Sequence, residues 1–186
     1  GQRKGLEVIV ALPVHASLAE FADPAVTAIT WTPRSAISAK SLVLKAFNRS
    51  DNLRHALLVI ELPPGTKPFH EVSYSDLDQL IDTYVKGPVF LARELLGSFV
   101  ERGRGGLGVV IRSFGNESSP MTRSLSASLE SLFDSVLTLY QRESVTLHGF
   151  LAGPESEDEI VRQVFQEMAS PDAKSHKKFR RLSSVK

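Results

Sequence analysis

A three-layer α/β sandwich, with about five parallel strands in the order 2-1-3-4-5 by chain position and helices on both faces, is the fold class the sequence predicts. Three observations predict it. Short β-branched or apolar runs alternate with helix-period segments along the chain, and strands separated by helices imply right-handed crossovers onto a parallel sheet covered on both faces. Residues 107–111 (LGVVI) form a continuous apolar run, which suits a strand buried on both sides. Residues 76–102 place Leu77, Leu80, Ile81, Tyr84, Val85, Phe90, Leu91, Leu95, Phe99 and Val100 mostly three or four apart, which makes one wide apolar helix face.

Each element follows in order. Residues 6–12 (LEVIVAL) read as a first strand, and residues 15–21 as a short helix ended by Asp23-Pro24, since the residue before proline disfavours helical geometry. Residues 26–31 (VTAITW) are a second, β-branched strand, and residues 35–47 a helix with Ser35 as N-cap. A third strand lies within residues 54–62 and is closed by Pro63-Pro64-Gly65. After the long helix, a glycine cluster matches G-x-G-x-x-G at residues 103–108. It follows a helix and precedes a strand, the reverse of the phosphate-binding context, so it reads as a helix-stopping loop. Residues 123–143 form a second long helix with Leu125, Leu129, Leu132, Phe133, Val136, Leu137 and Tyr140 toward the core. Residues 145–151 (VTLHGFL) are the fifth strand, and residues 157–169 the last helix, whose early acids suit the positive end of the helix dipole.

Composition bounds the function. The chain has 186 residues, 42% apolar and 23% charged, ordinary values for a globular protein. No apolar run approaches the roughly 20 residues of a membrane-spanning helix. With no cysteine there is no disulfide framework, thiol nucleophile or thiolate metal site, and the expected location is cytoplasmic. No signal peptide is visible, although a chain beginning at Gly1 is compatible with a removed N-terminus. Residues 173–186 hold six Lys/Arg and no acid, leaving sixteen basic against twenty-one acidic residues over 1–172. The expected organisation is one domain over 1–172 and a basic, disordered tail over 173–186. The tail suits an anionic partner only weakly, because one aromatic residue and scattered charges supply neither a stacking platform nor a groove. Arg180-Arg181-Leu182-Ser183 also resembles a basophilic kinase site, a short pattern that chance often supplies.

Several segments, in order, resemble the short-chain dehydrogenase/reductase family, whose fold is Rossmann-like. They are the strand ending in a Pro-Gly turn (HALLVIELPPG), the long helix with Tyr84-Val85-Lys86-Gly87-Pro88, the strand ending at Ser113, and SLSASLESLFDSVLTLYQRESVTLHGFLAGP. The last is similar to the family's active-site helix with the strand and Pro-Gly loop that follow it. The resemblance spans roughly residues 5–170. It implies a truncated fold, short in its first half and without a final strand after residue 170.

The same resemblance shows what is missing. The family's first strand runs into a glycine-rich turn that lets backbone N–H groups approach a pyrophosphate. Here the turn contains Pro13, Val14 and His15 and no glycine, and Pro13 removes a donor. The family's Tyr-x-x-x-Lys pair, a general acid/base beside a cation, falls at Thr122 and Ser126, and its asparagine at Tyr84. Only Ser113 keeps the family's residue type. The five histidines (His15, His55, His70, His148, His176) lack metal-ligand spacing, so no metal site is expected and each reads as a surface or strand-end residue. Arg34, after the second strand, is a weak match to a family arginine that prefers a 2′-phosphate.

The reading is therefore a catalytically inactive scaffold or interaction protein with no cofactor, pairing with itself or a related chain through the two long helices. Phe99 and Phe133 are its interface residues. Two other functions stand beside it. One is an oxidoreductase using NADP or NAD with an atypical site built on Ser113 and Tyr84 or Tyr140. The other is an anionic-ligand or nucleic-acid binder acting through the tail, which a salt-dependent binding assay would reveal.

Overall fold

The structure, a computed structural model, describes residues 8–13, 26–50, 52–64, 68–112, 119–153, 157–170 and 173–182. The elements are β1 (Val8–Pro13), β2 (Val26–Trp31), α1 (Ala36–Arg49), β3 (His55–Glu61), α2 (Tyr74–Ile81), α3 (Gly87–Glu101), β4 (Gly106–Arg112), α4 (Pro120–Leu139), β5 (Thr146–Ala152), α5 (Glu157–Met168) and β6 (Arg180–Arg181). Ser35 caps α1 as expected, its hydroxyl accepting from the Ser38 amide. The long helix of residues 76–102 is not uniform, because a π turn at Asp82–Lys86 joins α2 to α3 and carries Tyr84. The expected short helix at 15–21 lies outside the described residues.

All strand pairs are parallel. β1 pairs with β2, and a second ladder runs β3-β4-β5-β6. The neighbours expected within 2-1 and 3-4-5 are thus present. The expected single sheet differs in two respects. Among the described residues no ladder joins β1 to β3, and a strand follows β5 where none was expected.

Alternation along β4 and β5 divides the interior in two. Leu107, Val109, Ile111 and Leu147 face a large core with α1, α3 and α4, while Val110, Phe150 and Ala152 face Ile160, Val164 and Met168 of α5. β4 is buried throughout from Gly106 to Ile111, as its continuous apolar sequence requires. The first ladder reaches the same large core through Trp31. At Gly87, a Cβ would stand 2.9 Å from that of Pro33. The glycine loop ends α3 as the sequence indicates. Gly103 has φ 63° and Gly105 φ 142°, and a Cβ at Gly105 would fall 2.1 Å from the Phe99 ring.

Phe99 and Phe133 are not interface residues. Both are buried, at 0% and 3% exposure. Phe99 meets Phe47 of α1 edge to face, with centroids 5.6 Å apart. The apolar surplus that suggested a partner chain on this helix is covered by α1, an intramolecular neighbour that helical period alone cannot reveal. Phe133 points with Leu129 and Leu137 into the same core as β4 and β5.

The expected disordered tail is likewise corrected over residues 173–182. The His176 amide donates to the Leu147 carbonyl at 2.7 Å and the Leu182 amide to the Leu151 carbonyl at 2.9 Å. The Phe179 amide donates to Asp134 Oδ1 of α4 at 2.8 Å. Leu182 closes the α5 core at 7% exposure. These bonds satisfy the free side of β5, and that satisfaction together with Leu182 burial offsets the ordering entropy that local composition alone could not. Leu182→Ala is expected to cost about 2–3 kcal/mol, lowering Tm by roughly 4–12 °C for a domain of this size. Thermal unfolding followed by circular dichroism checks this, and an unchanged Tm would contradict the docking.

Candidate functional site

The C-terminal ends of the parallel strands are where an open α/β sheet places its ligand crevice. There, β3 ends at Glu61 and β4 at Arg112, directly opposite one another in register, and Arg112 Nη1 donates to Glu61 Oε1 at 3.2 Å. Thr122, in the first turn of α4, is 4% exposed. Its hydroxyl donates to the Pro63 carbonyl at 3.0 Å, and the hydroxyl of Ser119, the N-cap of α4, lies 3.1 Å from Thr122 Oγ1. Thr122 thus ties α4 to the turn after β3. Ser126, one helical turn on, is half-buried and brings no cation.

Tyr84 is half-buried in the π turn. Burial, and secondarily the Glu61 carboxylate, hold its phenol above the ordinary value, the opposite of what a tyrosine general acid/base needs. Tyr140 follows α4 and precedes β5, at the other end of the sheet. β4 and β5 run parallel over seven residues each, so Tyr140 lies roughly 20 Å along the strands from Arg112, the last residue of β4. Ser113, Val14 and His15 themselves lie outside the described residues. Pro13 ends β1 opposite Trp31, and Arg34 is exposed in the turn after β2.

A second cluster joins residues that sequence spacing kept apart. His148 projects from the α5 face of β5, where its ring stacks with that of Phe150 at 6.3 Å and meets His176 edge to face at 4.8 Å. His176 comes from the tail and Glu167 from the last turn of α5. One ligand atom from each of the three lies within 4.8 Å of the others. His176 Nε2 is 2.7 Å from Glu167 Oε1, which also accepts from Arg180 Nη1 at 2.6 Å. His176 Nδ1 lies 3.2 Å from the Gly149 amide nitrogen and 3.1 Å from the Gly149 carbonyl oxygen. His148 is 1% exposed, and neither of its ring nitrogens has a hydrogen-bond partner among the described residues. The surface or strand-end reading fails for both histidines. The available signal was a polar residue inside the buried run of β5, although its partners lie nineteen and twenty-eight positions away.

No protein-family model and no curated protein matches the chain. Solved structures do. They include serine dehydrogenase from Escherichia coli, 17% identical, covering 96% of this chain and 86% of that one at a TM-score of 0.77. A short-chain dehydrogenase from Streptomyces avermitilis is 15% identical over 97% of this chain and 64% of its own, at 0.64. An NADH-dependent reductase solved with NAD is 11% identical over 94% and 84%, at 0.71. At these identities the likeness shows the fold, which is Rossmann-like and of the short-chain dehydrogenase/reductase type.

The expectation that this chain has no cofactor is corrected, because a solved structure sharing its fold is complexed with NAD. Of the positions the resemblance assigned to the family's catalytic pair, Thr122 is bonded to Pro63 and Ser126 carries no charge. The membrane expectation stands in its limited form: among the described residues no helix is long and apolar enough to cross a bilayer.

His148 also sets a pH dependence. Burial first, then the neighbouring His176, press its pKa down to about 4, with Arg180 and His55 acting in the same direction and Glu167 opposing. The unfolded chain therefore takes up this proton first, and stability falls as pH drops from about 6.5 toward 4. The shift corresponds to about 3 kcal/mol at its limit. Denaturant unfolding between pH 7 and pH 4 should show a slope that His148→Phe flattens. Equal slopes in the two proteins would contradict this assignment.

Proposed function

We propose that this chain is a dehydrogenase-fold scaffold without hydride-transfer chemistry of its own, which acts by associating with a second copy or with a related chain. The observation that carries the reading is Thr122. The position that the family pattern gives to its acid/base tyrosine holds a buried threonine whose hydroxyl donates to Pro63 O at 3.0 Å. Tyr84 does not replace it, since its phenol is shifted away from the acidity such chemistry needs. The reading concerns turnover. Binding of a nicotinamide dinucleotide without turnover is compatible with it.

The associating surface is the outer face of α4. Ser124, Ala127, Ser128, Ser131 and Ser135 are exposed there, small residues that allow a second helix close approach. Leu132 and Leu139 stand out from that helix at 41% and 76% exposure, and they take over the interface role that the buried Phe99 and Phe133 cannot fill. An isologous two-fold contact would cover both leucines in each copy.

Two measurements test the proposal. Purified protein incubated with NADH or NADPH and a panel of aldehydes and ketones is expected to oxidise neither cofactor above the buffer rate. Turnover that Tyr84→Phe abolishes would overturn the noncatalytic reading in favour of an atypical oxidoreductase. In sedimentation at high micromolar concentration, the wild type should be dimeric and the Leu132→Glu/Leu139→Glu double variant monomeric with an unchanged fold, since charge is costly only in a desolvated contact. A monomeric wild type that also fails to associate with a related chain would remove the interface.

A further inference from the structure

We propose that His148, His176 and Glu167 form a binding site for a divalent metal ion of the zinc class, holding the C-terminal segment to β5 and α5. The site is separate from the strand ends described above and does not rest on the noncatalytic reading.

Three donors converge from three elements: β5, the last turn of α5, and the tail. Two imidazoles and one carboxylate form a donor set that suits zinc, with a fourth position left for water. A tetrahedral ion with bonds near 2.0–2.1 Å separates its ligands by roughly 3.3 Å. His176 Nε2 and Glu167 Oε1 are already 2.7 Å apart, and all three donor atoms fall within 4.8 Å of one another. The longest of these separations must shorten on binding for all three donors to share one tetrahedral ion.

The independent sign is His148 itself. A buried imidazole normally directs at least one nitrogen at a partner, yet at 1% exposure this ring has none among the described residues and lies edge to face with His176. A metal ion between the two rings supplies the missing partner.

Gly149 gives His176 what a ligand needs behind it. With Nδ1 accepting from the Gly149 amide, Nε2–H donates to Glu167 and the site is metal-free. With the proton on Nδ1, the ring donates to the Gly149 carbonyl, and Nε2 presents its lone pair to the ion. The backbone lies within hydrogen-bond reach of either tautomer, at 3.2 and 3.1 Å, and a carbonyl behind a ligating histidine is the usual orienting contact. Arg180 opposes the ion, since its guanidinium lies 2.6 Å from the carboxylate oxygen. Its side chain is 64% exposed, so it can withdraw into solvent when a dication takes the carboxylate. Glu167, 34% exposed at the side chain, is the opening through which an ion and its water would enter, since the His176 side chain is only 1% exposed.

The test uses the full chain, freed of metal with a chelator and titrated with zinc chloride against a competing indicator, with cobalt(II) as a spectroscopic probe. One equivalent of zinc should bind and raise Tm. Glu167→Gln and His148→Gln should each weaken binding by about tenfold or more. Arg180→Gln should strengthen it, an effect that a merely structural ion pair would not produce. Cobalt should show the intense visible bands of a four-coordinate centre, and these should vanish in Glu167→Gln. The proposal is overturned if zinc binds no more tightly than to a denatured chain, or if Glu167→Gln and Arg180→Gln leave affinity unchanged. Should His148→Gln fail to fold, the Glu167 and Arg180 variants, both at solvent-reaching positions, decide the matter.

Discussion

Strands β4 and β5 have to be dry on both faces, and the rest of the molecule is arranged to make them so. A parallel strand in the middle of a sheet has no solvent side on which to place polar residues, and β4 accordingly carries none between Gly106 and Ile111. One face is closed by α1, α3 and α4. The other is closed by α5, a helix of twelve residues, which leaves the far edge of β5 unpaired. The C-terminal segment completes that edge. Its amides reach β5 carbonyls, Phe179 is tied to α4 through Asp134, and Arg180 is tied to α5 through Glu167. A Cβ at Gly149 would lie 2.7 Å from the Phe179 ring, so the missing side chain on β5 is what lets the segment lie so close.

The same constraint separates fold from chemistry. A Rossmann-like core depends on apolar alternation and crossover geometry, neither of which needs a tyrosine, a lysine or a glycine-rich turn. α4 keeps its core residues Leu125, Leu129, Phe133 and Leu137, while Thr122 in its first turn serves as a joint to Pro63. Deleting that joint removes a part-buried hydrogen bond, a loss of about 0.5–1.5 kcal/mol. Thr122 is thus a structural joint between the first turn of α4 and the turn after β3.

Patterns local in sequence were legible. β2 matches its expected span of residues 26–31, Ser35 caps α1 as read, and the glycine cluster at 103–105 ends α3 with two positive φ angles. What local pattern could not show was which surface each apolar stripe covers. The stripe containing Phe99 suggested a partner chain, whereas α1 lies against it. The tail looked too polar to order, because its stabilising partners are the Leu147 and Leu151 carbonyls, Asp134 and Glu167, all remote in sequence. Beyond His148 inside the apolar run of β5, the histidine cluster left no local signal for the same reason. A ligand set assembled from a strand, a helix end and a returning segment has no fixed spacing for a motif to record.

Native-state hydrogen exchange at two amides tests the closure of β5 most directly. The amides of His176 and Leu182 donate to strand carbonyls at 2.7 and 2.9 Å. If the segment is part of the sheet, both should open only with the global unfolding of the domain, as is expected of the amides of β4 and β5. Exchange at the rate of an unstructured peptide, with β4 and β5 still protected, would contradict the account.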